Sequence, residues 1–522
     1  LSIILMYGFF VFARELIISF KDYAFFRGIW GSPWVGLKNY NDLVSSHAFG
    51  RIIENTVIFN LLFACMCFGI AFIIGTMITS LPKRSVLKDA LVLLFAIPLF
   101  IPADVYGSWL INAFNSSLFA NPGAMRFLHP FFCSVKYMGI PLIVMHIIDE
   151  TRKDKDRLLP LKVPALFSLV SLAFIMNTCF SLTSSLYNPM TYETMDMADT
   201  YLYRTGLAEM RIGLNSAMGV IQTLISALSA LVMFVPIKIL FSATFKGGSN
   251  ASGEAYARAE GNERIPGKIL SKVLSSVIAL AVFSLIYFLP YIINKQTLDI
   301  SKINISLPLA NPIITYLALS AVSALIAALI AVVTGRAFIA SSGIIRWVAA
   351  VMLLLITVFT IRAVNISNYL LMREIGAVNT GFAIILSTCF SAAAIWAMAC
   401  ILRHNNSRAI ADVYGTGTTG LNRLLLLAAI GIFLIQTAFI YTNTTPALFY
   451  LTNTRLSPFL TLRQITMSMQ SIKDAEERAS MYGAVGLYGF IMSLPAIIIF
   501  LLARVILPRE HLLAIISGGL KN

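Results

Sequence analysis

The chain reads as an all-α, polytopic membrane protein with about twelve transmembrane helices, each roughly 20 apolar residues long. Three observations predict this. Hydrophobic residues fill 58% of its 522 positions. Only 12% are charged, whereas a soluble domain carries about 25%. The mean hydropathy is +0.82, concentrated in long apolar runs rather than in the short alternating segments of an outer-membrane barrel. The formal charge of +15 fits the same class. Lys and Arg gather in cytoplasmic loops and meet anionic headgroups, so membrane lipids are the expected partners and nucleic acid is not.

Hydropathy places six helices at 1–20, 52–80, 89–114, 131–149, 161–187 and 213–242. Six more follow at 269–293, 309–335, 346–368, 379–402, 421–445 and 481–507. Leu1 lies inside the first run with no basic n-region or cleavage site, so no signal peptide is read. That helix begins upstream of Leu1 or is short. The basic loops "PKRSVLK" (82–88), "ETRKDKDRLLPLK" (150–162) and "RHNNSRAIADVYGTGTTGLNR" (403–423) alternate so as to share one side. Their Lys/Arg excess marks that side as cytoplasmic and places the C-terminus there too. Between the sixth and seventh helices lies "KGGSNASGEAYARAEGNERIPGK", with a flexible-linker composition. It divides the chain into halves 1–245 and 269–522, joined by a cytoplasmic linker at 246–268.

Most catalytic chemistries have no residues to support them. There is no Walker A pattern, HExxH or G-x-S-x-G, so no enzyme activity and no cofactor are expected of this chain. Of the six cysteines, five sit in apolar runs, and no CxxC pair or Cys/His cluster occurs. They read as small buried apolar residues rather than as disulfides or metal ligands. Arg14, Glu15, Asp104 and Arg362 lie towards helix ends, where snorkelling accounts for them. Gly415, Gly417 and Gly420 spell GxGxxG. A dinucleotide turn needs a strand before it and a helix after it; here membrane helices stand on both sides. The segment "SRAIADVYG" instead suits a short cytoplasmic helix stopped by Gly415.

The segment 18–60, with "GSPWVGLKNY" followed by "ENT", resembles the first external loop of carbohydrate ABC importer permeases of the maltose type, nearest the oligosaccharide and polysaccharide branch. "LYNPMTYETMDMADTYLYRTGL" (186–207) is similar to the external loop before the last core helix of that branch. In the second half, "YLLMREIGAVNTGFAIIL" (369–386), "PALFYLTNTRLSPFLTLRQI" (446–465) and the ending "SGGLKN" resemble the partner permease of such systems. The resemblance implies two type I importer permease halves, related by a pseudo-twofold axis and fused in one chain. It also implies a prokaryotic plasma-membrane location, an extracellular sugar-binding lipoprotein, an oligosaccharide substrate and two ATP-binding cassette ATPase subunits.

Permeases of this family carry a cytoplasmic coupling loop, E-A-A-x-x-D-G followed by Leu-Pro. In the second half it aligns with "AIADVYG", where Ala411 and Gly415 match, Asp412 lies inside the motif, Ala409 replaces the Glu and Tyr414 replaces the acid. In the first half the region opens at Glu150 and Arg152 and ends at Lys162-Val163-Pro164, without the Gly. These departures leave a second reading: a membrane sensor or scaffold that keeps the permease fold without transport. The segment 476–495 has a similar look, but by topology it begins outside, before the last span.

A sugar pathway needs hydroxyl and amide groups beside flat apolar surfaces, and mid-span polar residues are the candidates. Asn177, Ser181 and Ser184 recur at i, i+4 and i+7, on one face of the fifth predicted helix. Asn215 near the start of the sixth, and Tyr441 and Asn443 at the end of the eleventh, complete the set. Small polar residues also serve close helix packing in bilayers.

Overall fold

A computed structural model of the chain describes residues 2–114, 116–151, 156–245, 265–302, 310–340, 343–344, 348, 362, 364–404, 418–469 and 474–507. In the first half the main helices are α1 (Ser2–Ser19), α2 (His47–Ser80), α3 (Val86–Ala96), α4 (Ala103–Ala113), α5 (Pro122–Tyr137), α6 (Gly139–Thr151), α7 (Leu159–Ala173), α8 (Phe180–Leu186), α9 (Ala198–Tyr203) and α10 (Ile212–Phe245). In the second half they are α11 (Ile265–Ile293), α12 (Ala310–Ala340), α13 (Ile366–Glu374), α14 (Gly381–Thr388), α15 (Ala392–His404), α16 (Thr418–Thr442), α17 (Thr445–Tyr450), α18 (Pro458–Met469) and α19 (Ala475–Ile506). Among the described residues there is no β-strand beyond one isolated bridge, Lys21 with Trp34.

Seven of the described helical stretches are long and apolar enough to cross a membrane, and nine if each of two bent pairs is one span. Of the other predicted spans, 1–20 is the 18-residue α1 and 161–187 is split into α7 and α8. The span at 346–368 lies mostly outside the described residues, as does most of the predicted linker.

The same packing occurs in both halves. The first helix lies on the last: α1 on α10, and α11 on α19. The second helix lies on both the fourth and the fifth: α2 on α5 and α7, and α12 on α15 and α16. Each first helix also reaches the opposite half, α1 touching α13 while α11 packs on α3 and α4. Phe100 stacks on Phe500 at 4.1 Å and meets Phe439 at 5.5 Å, so side chains of both halves share one apolar core.

The third predicted helix is not continuous. It turns by 105° between α3 and α4, through a 3-10 turn containing Pro98 and ending before Pro102. Proline supplies no N–H and ends regular helix, which frees carbonyls inside the apolar layer. The buried Lys136 ammonium donates to the carbonyls of Pro98 (3.0 Å) and Ile101, and lies 5.4 Å from the Tyr106 ring centroid. One cation thus replaces the lost helical donors.

The 476–495 segment falls within α19 as continuous helix. Its glycines at i, i+3 and i+6 form a packing seam. Gly483 lies against the Thr297 backbone, Gly486 against the Tyr291 ring, and Gly489 against Val105 and Tyr287. A methyl group at position 483 would meet backbone that cannot swing aside. Gly483→Ala should therefore lower the thermal midpoint of the detergent-solubilised protein, by about 1–3 kcal/mol of overpacking. An unchanged midpoint would show that the Thr297 turn yields freely.

Candidate functional site

A helix that stops within an apolar layer must find new partners for its freed backbone groups. The predicted fifth helix stops at Ala173 and resumes at Phe180, and four of the backbone groups at the break are met by side chains from other elements. Ser229 donates to Leu172 O (2.7 Å), Asn60 to Ile175 O (2.8 Å) and Gln222 to Met176 O (2.9 Å). Asp199 accepts from the Thr178 N–H (2.9 Å) and hydroxyl (2.7 Å), and from the Gln222 amide (3.0 Å). Asp199 and Gln222 are fully buried. Asn177 therefore sits in the break and shares no helix with Ser181 and Ser184, which differs from the single face expected from their spacing. The cause is the stitched break, which the apolar run conceals. Asn177 Nδ2 has no hydrogen-bond partner among the described residues.

Ser181, at the start of α8, shares a 2.6 Å hydrogen bond with Thr445, at the start of α17. The contact joins the two halves. Both short helices follow breaks, and Pro446 in the first turn of α17 keeps it separate from α16. Around this seam runs a set of aromatic rings from both halves. Phe180 and Tyr203 lie 5.4 Å apart, Tyr203 and Phe449 6.4 Å, and Tyr369 and Phe449 5.5 Å. Ser184 bonds back to the Ser181 carbonyl. Asn443 is exposed, and its carbonyl accepts from Tyr316 at 3.1 Å. Asn215 and Tyr441 are fully buried. Asn215 donates to Thr205 (2.9 Å) and Leu202 O, holding the turn after α9. Tyr441 donates to Met492 O (2.8 Å), holding α16 to α19. The structure thus brings Asn177, Ser181 and Ser184 near the seam and gives Asn215 and Tyr441 bracing contacts.

Of the candidate coupling residues, Glu150 and Pro164 are described; Arg152, Ala409, Ala411, Asp412, Tyr414 and Gly415 lie outside the described residues. Pro164 is buried in α7. Glu150 accepts from the Arg84 N–H and lies 3.4 Å from Lys88. Lys88 also pairs with Asp149, while the neighbouring Asp89 meets His146 (2.8 Å) and Arg504 (2.6 Å). Arg504 is in α19, so the chain of charges that begins at the 150–162 loop ends in the other half. Asp89, His146, Lys272 and Arg504 border a small cavity of about 30 Å³.

On the opposite face, Glu15 and Arg362 form an ion pair with both side chains almost fully buried. Arg14 grips Glu374 with two bonds of 2.9 and 2.7 Å. Snorkelling does not describe these residues: they pair across the halves because each faces a partner within the protein. In the 186–207 segment, Arg204 bonds both oxygens of Asp196 at 3.1 Å. Burial opposes the charge on Arg204, but Asp196 outweighs it and lifts the guanidinium above its ordinary value. Tyr192 is sandwiched between Arg204 and Arg51. Cys65, Cys67, Cys133, Cys179 and Cys389 are free; Cys67, Cys133 and Cys389 are buried, whereas Cys65 is exposed, contrary to the sequence expectation.

Two substitutions test this reading. Asp199→Leu should strand the Thr178 N–H and the Gln222 amide, at about 1–3 kcal/mol for each unsatisfied group. Asp199→Asn keeps an acceptor and should lose much less; equal melting temperatures for the two variants would refute the stitching role. Arg504→Met leaves Asp89 buried without its strongest partner, a loss of about 3–5 kcal/mol. The double variant with Asp89→Asn should recover part of that loss in the same melting assay.

No family model matches the chain. The polygalacturonan/rhamnogalacturonan transport system permease protein YteP of Bacillus subtilis (strain 168) is 22% identical over 249 residues, covering 40% of this chain and 75% of YteP. Protein LplB of the same organism is 21% identical over 252 residues, covering 40% of this chain and 77% of LplB. Among solved structures, a bacterial ABC transporter involved in import of the acidic polysaccharide alginate aligns with a TM-score of 0.36 at 21% identity, over 40% of this chain and 84% of that one. A bacterial alginate ABC transporter in complex with an alginate pentasaccharide-bound periplasmic protein aligns with a TM-score of 0.33 at 20% identity, over 41% and 84%. This multi-pass membrane chain is thus similar, over about two fifths of its length, to permeases of carbohydrate ABC importers.

Proposed function

We propose that the chain is the transmembrane permease of an ATP-driven oligosaccharide importer in a prokaryotic plasma membrane, each half standing for one of two permease subunits. One observation carries the reading: 40% of this chain accommodates 75% of YteP, leaving room for a second half, and the helix contacts of residues 1–245 recur in residues 269–522. A pathway between such halves would run at their seam. There Ser181, Thr445 and Asn177 offer hydroxyl and amide partners, and Tyr203 and Tyr369 offer ring faces to a sugar. The direct Ser181–Thr445 bond holds the seam together in this conformation, so passage requires the halves to part.

In this proposal ATP hydrolysis belongs to two ATPase subunits, and an extracellular sugar-binding lipoprotein delivers the substrate. The two cytoplasmic loops receive the movement. The first is wired to both halves through Glu150, Lys88, Asp89 and Arg504. The alternative reading, a sensor or scaffold without transport, is favoured by one specific feature: Ala409 and Tyr414 stand where the coupling motif has acids.

Purification with its binding partners should recover the ATPase subunits and show sugar-stimulated ATP hydrolysis; absence of any associated ATPase would favour the sensor. Ser181→Phe should abolish uptake in proteoliposomes, at a cost in melting temperature because the ring meets Thr445 across the seam. Gly415→Leu should depress uptake by crowding the second coupling loop. Normal uptake by both variants would remove the seam and that loop from the mechanism.

A further inference from the structure

The segment after α1 is a compact loop with its backbone bound from within. Asp22 N–H donates to Pro33 O (3.0 Å), and Val35 N–H to Phe20 O (2.9 Å). The buried Lys21 ammonium donates to the carbonyls of Ile29 (2.7 Å) and Ser32 (3.3 Å). Ser32 donates to Gly28 O (2.6 Å) and accepts from the Ala24 N–H (3.0 Å). Gly28 takes a φ of +63°, which lets the chain turn back. Ile29 packs with Ile18, Ile212 and Ile366, fixing the loop to the body of the protein.

This rigid loop turns large apolar side chains outward. Phe26 is fully exposed, Trp30 is 84% exposed, Trp34 63% and Leu37 61%. Asp22, Arg27 and Lys38 are exposed beside them. The loop follows a helix whose Phe9 and Phe10 are also exposed. It is level with the start of α10, because Gly213 packs against the Lys21 carbonyl and Asn39. Tryptophan and phenylalanine flanked by charges suit the headgroup zone, which is polar enough to solvate the loop amides not bonded from within.

We propose that Phe26, Trp30, Trp34 and Leu37 seat this loop in the headgroup zone of the outer leaflet, as a bilayer anchor for the outer end of α1. The anchor is independent of transport. By fixing α1 it also fixes Arg14 and Glu15, which reach the second half.

The test uses the full chain in phosphatidylcholine proteoliposomes, with every other tryptophan changed to Phe so that only Trp30 or only Trp34 remains. Lipids brominated near the headgroup should quench about half of the emission of each, more than lipids brominated near the bilayer centre, as expected of an interfacial ring. Aqueous iodide should quench little. Iodide quenching without bromolipid quenching would overturn the proposal. So would shielding that appears only when a soluble extracytoplasmic protein is added, since the surface would then be a protein-docking face. A variant that loses no packing gives a second readout. A polarity-sensitive bimane on Phe26→Cys, with Cys65→Ala, should shift to the blue on reconstitution; emission typical of water would equally overturn the anchor.

Discussion

Interrupting a helix inside lipid is possible only if every freed amide and carbonyl is met by another group. That constraint organises this molecule. The turn between α3 and α4 exists because Lys136 reaches the carbonyls of Pro98 and Ile101. The break between α7 and α8 exists because Asn60, Gln222, Asp199 and Ser229 arrive from three other elements. Each break shortens its helix and places a new helix start near the middle of the protein. The Ser181–Thr445 contact is one product: it joins two helix starts that continuous helices would not have.

The halves are held together at both ends by charge and between them by rings. Glu15–Arg362 and Arg14–Glu374 act at one face, Asp89–Arg504 at the other, with Phe100, Phe439 and Phe500 packed between. The buried pairs Glu15–Arg362 and Asp89–Arg504 contribute little to stability compared with well-packed apolar groups, but losing one partner is costly. They therefore fix how the halves meet more than how firmly.

Hydropathy alone made the long helices legible. The ends of α2, α10, α11 and α12 fall within several residues of the apolar runs, because lipid rewards continuous apolar length. Interruptions were not legible. The turn at Pro98 and Pro102 lies within a run that hydropathy reads as one helix, and the break at 174–179 is sustained by residues as distant as Asn60 and Gln222. The same reason misplaced Asn177 relative to Ser181. Glu15 and Arg362 looked like solitary charges at helix ends, since a partner 347 positions away leaves no trace in spacing. Gln222 had one available signal, a polar residue in an apolar run, and it pointed equally well to packing, while Asp199 lay among the charges of a segment read as an external loop. The glycines of 476–495, set aside as a coupling motif on topology, form a seam for Thr297 and Tyr291.

The junction at Arg504 has a bearing on mutual placement. Its acid, Asp89, comes only from the first half, and the arginine only from the second. Any arrangement that moved α19 away from α3 would take the guanidinium from a buried carboxylate, a loss of several kcal/mol. The pairing therefore selects one mutual arrangement of α3 and α19, and because acid and base lie on one chain they are always made in equal number.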